Sequence, residues 1–379
     1  LLFGILAVTP MACINSNYQM SEKQLPPDIL KTRHHFEILD GLRGVAALAV
    51  VTFHFMEVAY SDYSQDFIGH GFLAVDFFFC LSGFVIAYAY DDRICKMGVL
   101  EFFKSRIIRL HPLVVFGSIL GLLTFLFDPF GGHPELYSVG RLIVLVVCSA
   151  LMIPIGGMPD RYFNLFGFNA PAWSLFWEYV ANIVYAFVLS RLKRRYLVVL
   201  AVISAAGICY VARQSGNLMG GWSTGTFWDG AVRISYSFLA GMLVYRFNWI
   251  IKNKLGFIGA SILLALAFLM PFSQSWNWLT EPLVVLLYFP LLIALGAGAT
   301  LRNGFKKFCV FSGNISYPLY MTHYAFIWVF ANYFTAHKPG PAKLAMIIIV
   351  SEVFLITLAY LVMTWFDIPV RKYLSSKRK

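Results

Sequence analysis

Gly71-Phe72-Leu73-Ala74-Val75-Asp76-Phe77-Phe78-Phe79-Cys80-Leu81-Ser82-Gly83-Phe84 carries one ionisable side chain, Asp76, in a run otherwise made of apolar and small residues. Extended to residues 70–90, the run is as long as a helix must be to cross bilayer hydrocarbon, roughly 20 residues. Comparable runs recur between basic or Pro/Gly-rich punctuation. They place spans near 40–60, 70–90, 111–128, 173–190, 196–213, 230–247, 255–271, 281–299, 315–335 and 343–366. The composition agrees: of 379 residues 59% are hydrophobic and 13% charged, against about 25% charged in a soluble domain. With a mean hydropathy of +0.70, the apolar residues exceed what one water-soluble core encloses, which excludes an ordinary cytosolic enzyme.

The net charge is +11, from 30 Lys and Arg against 19 Asp and Glu. The positives fall into clusters between the apolar runs: Lys31/Arg33; Arg93/Lys96/Lys104/Arg106/Arg109; Arg191/Lys193/Arg194/Arg195; Arg246/Lys252/Lys254; Arg302/Lys306/Lys307; and Arg371/Lys372/Lys377/Arg378/Lys379. This is positive-inside patterning, not a nucleic-acid surface. An eleventh apolar run, 139–155, sets the parity. If it stops short of crossing, all six clusters share the cytoplasmic side; if it crosses, the cluster at 191–195 and its successors change sides. The expectation is an all-α, polytopic integral membrane protein of about ten transmembrane helices, both termini cytoplasmic. Residues 139–172, with Pro154, Pro159 and Pro171, form a re-entrant or interfacial segment, and 97–110 an amphipathic helix on the inner face.

Residues 1–35 read as an N-terminal extension, 36–373 as the ten-helix unit and 374–379 as a basic cytoplasmic tail. The apolar stretch before Cys13 is too short to span. It reads as a translated upstream extension or part of a signal peptide, and Pro10 fits a lipoprotein cleavage site poorly. The six cysteines, Cys13, Cys80, Cys95, Cys148, Cys209 and Cys309, show no CxxC pair. They are expected to be small buried hydrophobes, neither bridged nor metal-bound.

Ionisable side chains inside a bilayer are expensive, so those within the spans are functional candidates. They are Asp40, Arg43, His54, Glu57, Asp76, Glu178, His323 and Glu352. Arg43 and His54 lie close to three full turns apart, on one helix face and roughly 16 Å from each other. Asp40 can pair with Arg43 from the preceding turn. Against a role in chemistry, Arg43 reads as a snorkelling anchor and His54 as a structural histidine. Asp76 needs a partner, with Arg43 or His54 in reach, or else serves as a structural ion pair. Arg106 and Arg109, three apart and followed by His111-Pro112, suit bidentate phosphate contacts to a lipid headgroup or a nucleotide-like cofactor. Glu178 sits more than a turn inside its span. Trp173 also fits an interfacial belt, and His323 a structural hydrogen bond. His35 and Asp40 make an HxxxxD spacing that straddles the membrane entry, and it is set aside as a decoy.

Taken together, several segments resemble the membrane-bound acyltransferase 3 family, which includes bacterial O-antigen and other cell-surface polysaccharide acetylases. The matching pieces are Leu39-Asp40-Gly41-Leu42-Arg43-Gly44 with His54; Ala74-Val75-Asp76-Phe77-Phe78-Phe79 with Leu81-Ser82-Gly83-Phe84; Arg106 and Arg109; Trp173-Ser174-Leu175 with Glu178; and Ile315-Ser316-Tyr317-Pro318-Leu319-Tyr320 with His323. They run in the family's order over about residues 36–373. Ala74 departs from the usual glycine, and Phe176-Trp177 varies the stretch before the glutamate. The resemblance implies a stand-alone member that transfers an acyl group, most often acetyl, from acyl-CoA to a carbohydrate hydroxyl, possession of no bound cofactor or metal being expected. Acyl-CoA, a carbohydrate acceptor, lipid-linked in some cases, and membrane lipids are the implied partners, with no nucleic acid. The resemblance further implies a bacterial inner membrane, with catalysis expected from His54, Arg43, Asp76 and Glu178, His54 as base or acyl carrier and Asp76 or Glu178 orienting its ring. Arg106, Arg109, Asp40, Ser82, Trp173, Tyr320 and His323 are the expected substrate-binding positions. The competing class is a transporter or flippase using the same ionisable set as a proton or substrate pathway.

Overall fold

The computed structural model describes residues 35–301 and 303–377. The expected extension apart from His35, with Lys31, Arg33 and Cys13, lies outside the described residues, as do Arg302, Arg378 and Lys379. The described chain is helical, and its two β-bridges are isolated. In order the helices are α1 (Glu37–Ala59), α2 (Ala74–Tyr90), α3 (Ile94–Met97), α4 (Val99–Leu126), α5 (Val139–Ala150), α6 (Ala172–Phe187), α7 (Arg194–Ser215), α8 (Phe227–Arg246), α9 (Gly256–Phe268), α10 (Asn277–Leu283), α11 (Phe289–Gly298), α12 (Lys306–His337), α13 (Pro341–Val362) and α14 (Ile368–Ser376).

Six rods are long and apolar enough to cross a membrane: Glu37–Ala59, Gly71–Tyr90, Val99–Leu126, Arg194–Ser215, Asn277–Gly298 and Pro341–Ser376. This is an integral membrane protein. By that measure six of the expected ten or so spans are present among the described residues, and α6, α8, α9 and α12 occupy the other four expected positions. Run 139–155 is helical over only the 12 residues of α5, about 18 Å, too short to cross hydrocarbon. The amphipathic helix expected at 97–110 is not a separate element. It is the first part of the 28-residue α4, which continues through Pro112, and Arg106 is buried instead of lying on a surface.

Two close crossings hold the core. At the α2/α8 crossing a Cβ on Gly83 would stand 2.0 Å from the Phe238 carbonyl oxygen, and one on Gly241 1.8 Å from that of Cys80. Only glycine lets the backbones meet so closely, as in small-residue packing between membrane helices. Helix α1 lies against α12 in the same way, Gly313 taking the place against Asp40 where a side chain would collide. The rod Asn277–Gly298 passes through a π-turn at Val284–Tyr288. Pro290 has no N–H to offer the Leu286 carbonyl, and the Tyr236 hydroxyl donates to that oxygen instead, at 2.6 Å.

Of the six crossing rods, α1 and α2 are the most enclosed, while α7 and the α13–α14 rod are the least. The latter two present Val199, Val202, Ile203, Ile349, Val350 and Val353 outward, an apolar face suited to lipid. Cys80 and Cys309 are buried as expected, but Cys209 is exposed. Cys95 is disulfide-bonded, contrary to expectation. It sits exposed on the short α3, outside the apolar runs.

Candidate active site

Helix α1 presents its ionisable side chains at two levels because the 3.6-residue repeat returns Arg43 and His54 to one face. At the lower level, Arg43 Nε donates to Ser316 Oγ at 2.9 Å and Nη2 donates to the Gly313 carbonyl. Asp40 Oδ1 lies 3.7 Å from the same guanidinium. Arg43 lines a cavity of about 140 Å³ together with Arg106, Arg109, Ser82, Glu178 and Tyr320. Glu178 Oε1 accepts from Arg106 Nη2 at 2.7 Å and from Ser82 Oγ at 2.9 Å. No carboxylate stands within 4.0 Å of Arg109 among the described residues. The cavity therefore carries two paired guanidinium groups and a third with charge to spare, a setting for phosphate groups.

At the upper level, His54 opens onto a chamber of about 520 Å³ walled by Trp173, Trp222, Trp328, Tyr162 and Tyr324. His54 Nδ1 is 2.5 Å from Glu57 Oε1. A carboxylate can only accept, so Nδ1 carries the proton and Nε2 keeps its lone pair, the tautomer a general base needs. The imidazole is fixed on two further sides. Tyr324 meets it edge-on at 4.8 Å, and His323 stacks on it at 5.4 Å. His323 is buried and donates through Nδ1 to the carbonyls of Tyr320 and Leu319, at 2.9 and 3.1 Å.

The two spaces share a wall. Val75 and Tyr320 line both, and the Tyr320 hydroxyl is 2.8 Å from Ser174 Oγ, tying α12 to α6.

Several expectations change here. The carboxylate that orients His54 is Glu57, one turn away on the same helix, and neither Asp76 nor Glu178, because both are already engaged. Asp76 pairs with Arg233, not with Arg43 or His54: Arg233 Nη2 lies 2.6 Å from Oδ2 and Nε 3.2 Å from both oxygens. Arg233 also donates to the carbonyls of Gly220 and Phe72 and lies over the Trp173 ring at 5.2 Å. With side chains 0% and 1% exposed, the pair is a buried lock between α2 and α8. Glu178 belongs to the lower cavity. Asp40 lines neither space; it holds Arg43 and meets His35 at 3.1 Å, so the HxxxxD residues do touch, at the helix entry. His323 also lines neither space and backs the His54 ring. Trp173 lines the chamber, Ser82 and Arg109 the lower cavity, and Tyr320 both. Glu352, the remaining intramembrane acid, accepts from Thr52 Oγ1 at 2.5 Å, away from both.

Sequence reading missed Arg233, Arg161, Tyr324 and the role of Glu57. The three-residue spacing of His54 and Glu57 was a usable signal, as was an arginine within the 230–247 span. Nothing local marks Arg161 or Tyr324.

A family model described as an acyltransferase domain matches residues 36–366. Protein 2 in the picA locus of Rhizobium radiobacter is 33% identical over 208 residues, covering 50% of this chain and 98% of that protein. The O-acetyltransferase OatA of Staphylococcus aureus is 24% identical over 366 residues, covering 88% of this chain and 57% of OatA, so the chain spans little more than half of that relative. The putative peptidoglycan O-acetyltransferase YrhL of Bacillus subtilis is 36% identical over 104 residues, 25% of this chain and 15% of YrhL. No solved structure matches the chain.

Proposed function

Because the chain belongs to the acyltransferase-domain family and is a membrane O-acyltransferase, we propose that it moves an acyl group, acetyl foremost, from acyl-CoA to a hydroxyl of a cell-surface or lipid-linked carbohydrate. The observation that carries this reading is the His54–Glu57 pair, which opens onto an aromatic chamber whose wall, at Val75 and Tyr320, is shared with an arginine-lined cavity. Aromatic faces suit sugar rings, and guanidinium groups suit the phosphates of CoA. The lower cavity is narrow, so the slender thioester end enters it while the nucleotide stays outside against Arg109.

In this mechanism His54 Nε2 takes the proton of the acceptor hydroxyl as its oxygen attacks the thioester carbonyl. The C–O bond forms, the C–S bond breaks, and the CoA thiolate recovers the proton from the imidazolium. Glu57 holds Nδ1–H throughout and stabilises the imidazolium. The Tyr320 hydroxyl, on the wall between the two spaces, is the donor best placed for the tetrahedral oxyanion. Arg43, about three helical turns from His54, serves phosphate instead of oxyanion. The Arg43 end of α1 then faces the cytoplasm, where acyl-CoA is available. Ten spans within 36–373, both termini inside and an inner-membrane location complete the proposal.

The test is CoA release by the purified protein from acetyl-CoA with candidate oligosaccharides. Release dependent on acceptor and lost in His54→Ala supports the reading; release unchanged in His54→Ala overturns it.

A further inference from the structure

Among the described residues Arg161 is the buried arginine without a paired carboxylate: Arg233 is paired with Asp76 and Arg106 with Glu178. Arg161 is 4% exposed, yet no carboxylate lies within 4.0 Å of it among the described residues. The carboxylate beside it in sequence, Asp160, accepts from the Tyr137 hydroxyl. Arg161 Nη1 donates to the Gly167 carbonyl at 2.7 Å, and the rest of the guanidinium fork is held over aromatic faces, Phe125 at 4.8 Å and Trp328 at 4.9 Å.

The residue lines the larger chamber. So does Trp328, whose indole Nε1 is buried with no acceptor. The Trp328 donor left over beside Arg161 points to a ligand group that accepts, and a buried cation with no carboxylate in direct contact points to an anionic one. The other charges on the chamber are committed: Glu57 to His54 and Arg233 to Asp76.

We propose that the chamber takes an acceptor bearing a negative group, carboxylate or phosphate, held by Arg161 and Trp328 while the attacking hydroxyl lies at His54. This rests on the acyltransferase reading above and adds the charge class of its acceptor. The group has two sources with the same chemistry, the carboxylate of an acidic sugar or the phosphate of a lipid carrier. A planar guanidinium serves either in a bidentate way.

Binding is read without turnover, by tryptophan fluorescence of the purified full chain in detergent, with Trp173, Trp222 and Trp328 on the chamber as reporters. The probes are methyl glucuronide against methyl glucoside, and farnesyl phosphate against farnesol. In the wild-type protein at least one anionic probe binds about tenfold or more tightly than its neutral counterpart, the size of one charge-assisted contact. Preference for the glucuronide assigns the carboxylate, and preference for farnesyl phosphate the carrier. Arg161→Gln removes the preference and Arg161→Lys keeps part of it. Equal binding of anionic and neutral probes by the wild type overturns the proposal without recourse to any variant, as does an undiminished preference in Arg161→Gln. Failure of the acyltransferase reading is seen separately, as absence of CoA release.

Discussion

His54 and Glu57 act as a unit because the carboxylate fixes which ring nitrogen holds the proton. Glu57→Gln keeps a hydrogen-bonding side chain but removes the charge that stabilises the imidazolium. It is expected to lower kcat by about 10- to 100-fold, less than loss of the general base itself, which is worth about 100-fold or more, with little change in the KM for acyl-CoA, whose proposed site is at the other level. Steady-state kinetics on both substrates check this, and an unchanged kcat would remove Glu57 from the mechanism. Asp76 is the instructive contrast. Its isolation among phenylalanines leaves catalysis and a structural ion pair both open, and the pair is what forms, with Arg233, 157 residues away in sequence, a partner visible only after folding. Removing one member of a buried ion pair costs about 3–5 kcal/mol. Asp76→Ala and Arg233→Ala should therefore each lower the melting temperature steeply, the double variant losing less than their sum. Loss of turnover in Asp76→Ala with an unaltered melting temperature would return that carboxylate to catalysis.

Elements show the same division between what is local and what is not. Each expected span contains a helix, since an apolar run of about 20 residues specifies a helix in lipid by leaving the backbone no other partner. The joins were less legible: 97–110 carries an amphipathic pattern, yet it continues into the span as α4 and sends Arg106 inward to Glu178. The close α2/α8 crossing needs Gly83 and Gly241 together, two glycines far apart in sequence that only the fold brings face to face. Gly83→Ala would bring a Cβ within 2.0 Å of the Phe238 carbonyl oxygen, which backbone movement must relieve by parting α2 from α8. A loss of about 1–3 kcal/mol is expected, the usual scale of overpacking, read as a lower melting temperature in detergent. Wild-type stability in Gly83→Ala would mean that the crossing is looser than its geometry states.

At the level of the whole molecule, composition and charge patterning were enough for the class, all-α and membrane-embedded, and the ordered motifs were enough for the family. They picked out Arg43, Arg106, Arg109, Ser82, Glu178 and Tyr320 one by one, but divided them between catalysis and substrate binding; that the six line one cavity is visible only in the fold. What they could not supply is the division into two spaces with a common wall, because Arg161, Tyr324 and Arg233 reach the chamber from separate elements. The transporter alternative loses its basis in the same geometry. Asp76 and Glu178, which it needs as pathway residues, are tied into ion pairs with Arg233 and Arg106, and the family is one of acyltransferases. Proposed transfer of an acyl group from CoA to a carbohydrate hydroxyl by His54 is checked by following labelled acetyl from acetyl-CoA onto an oligosaccharide with the purified protein. The wild type should form an acetyl ester and release CoA in equal amounts, with His54→Ala slower by about 100-fold or more; equal ester formation by His54→Ala would contradict it.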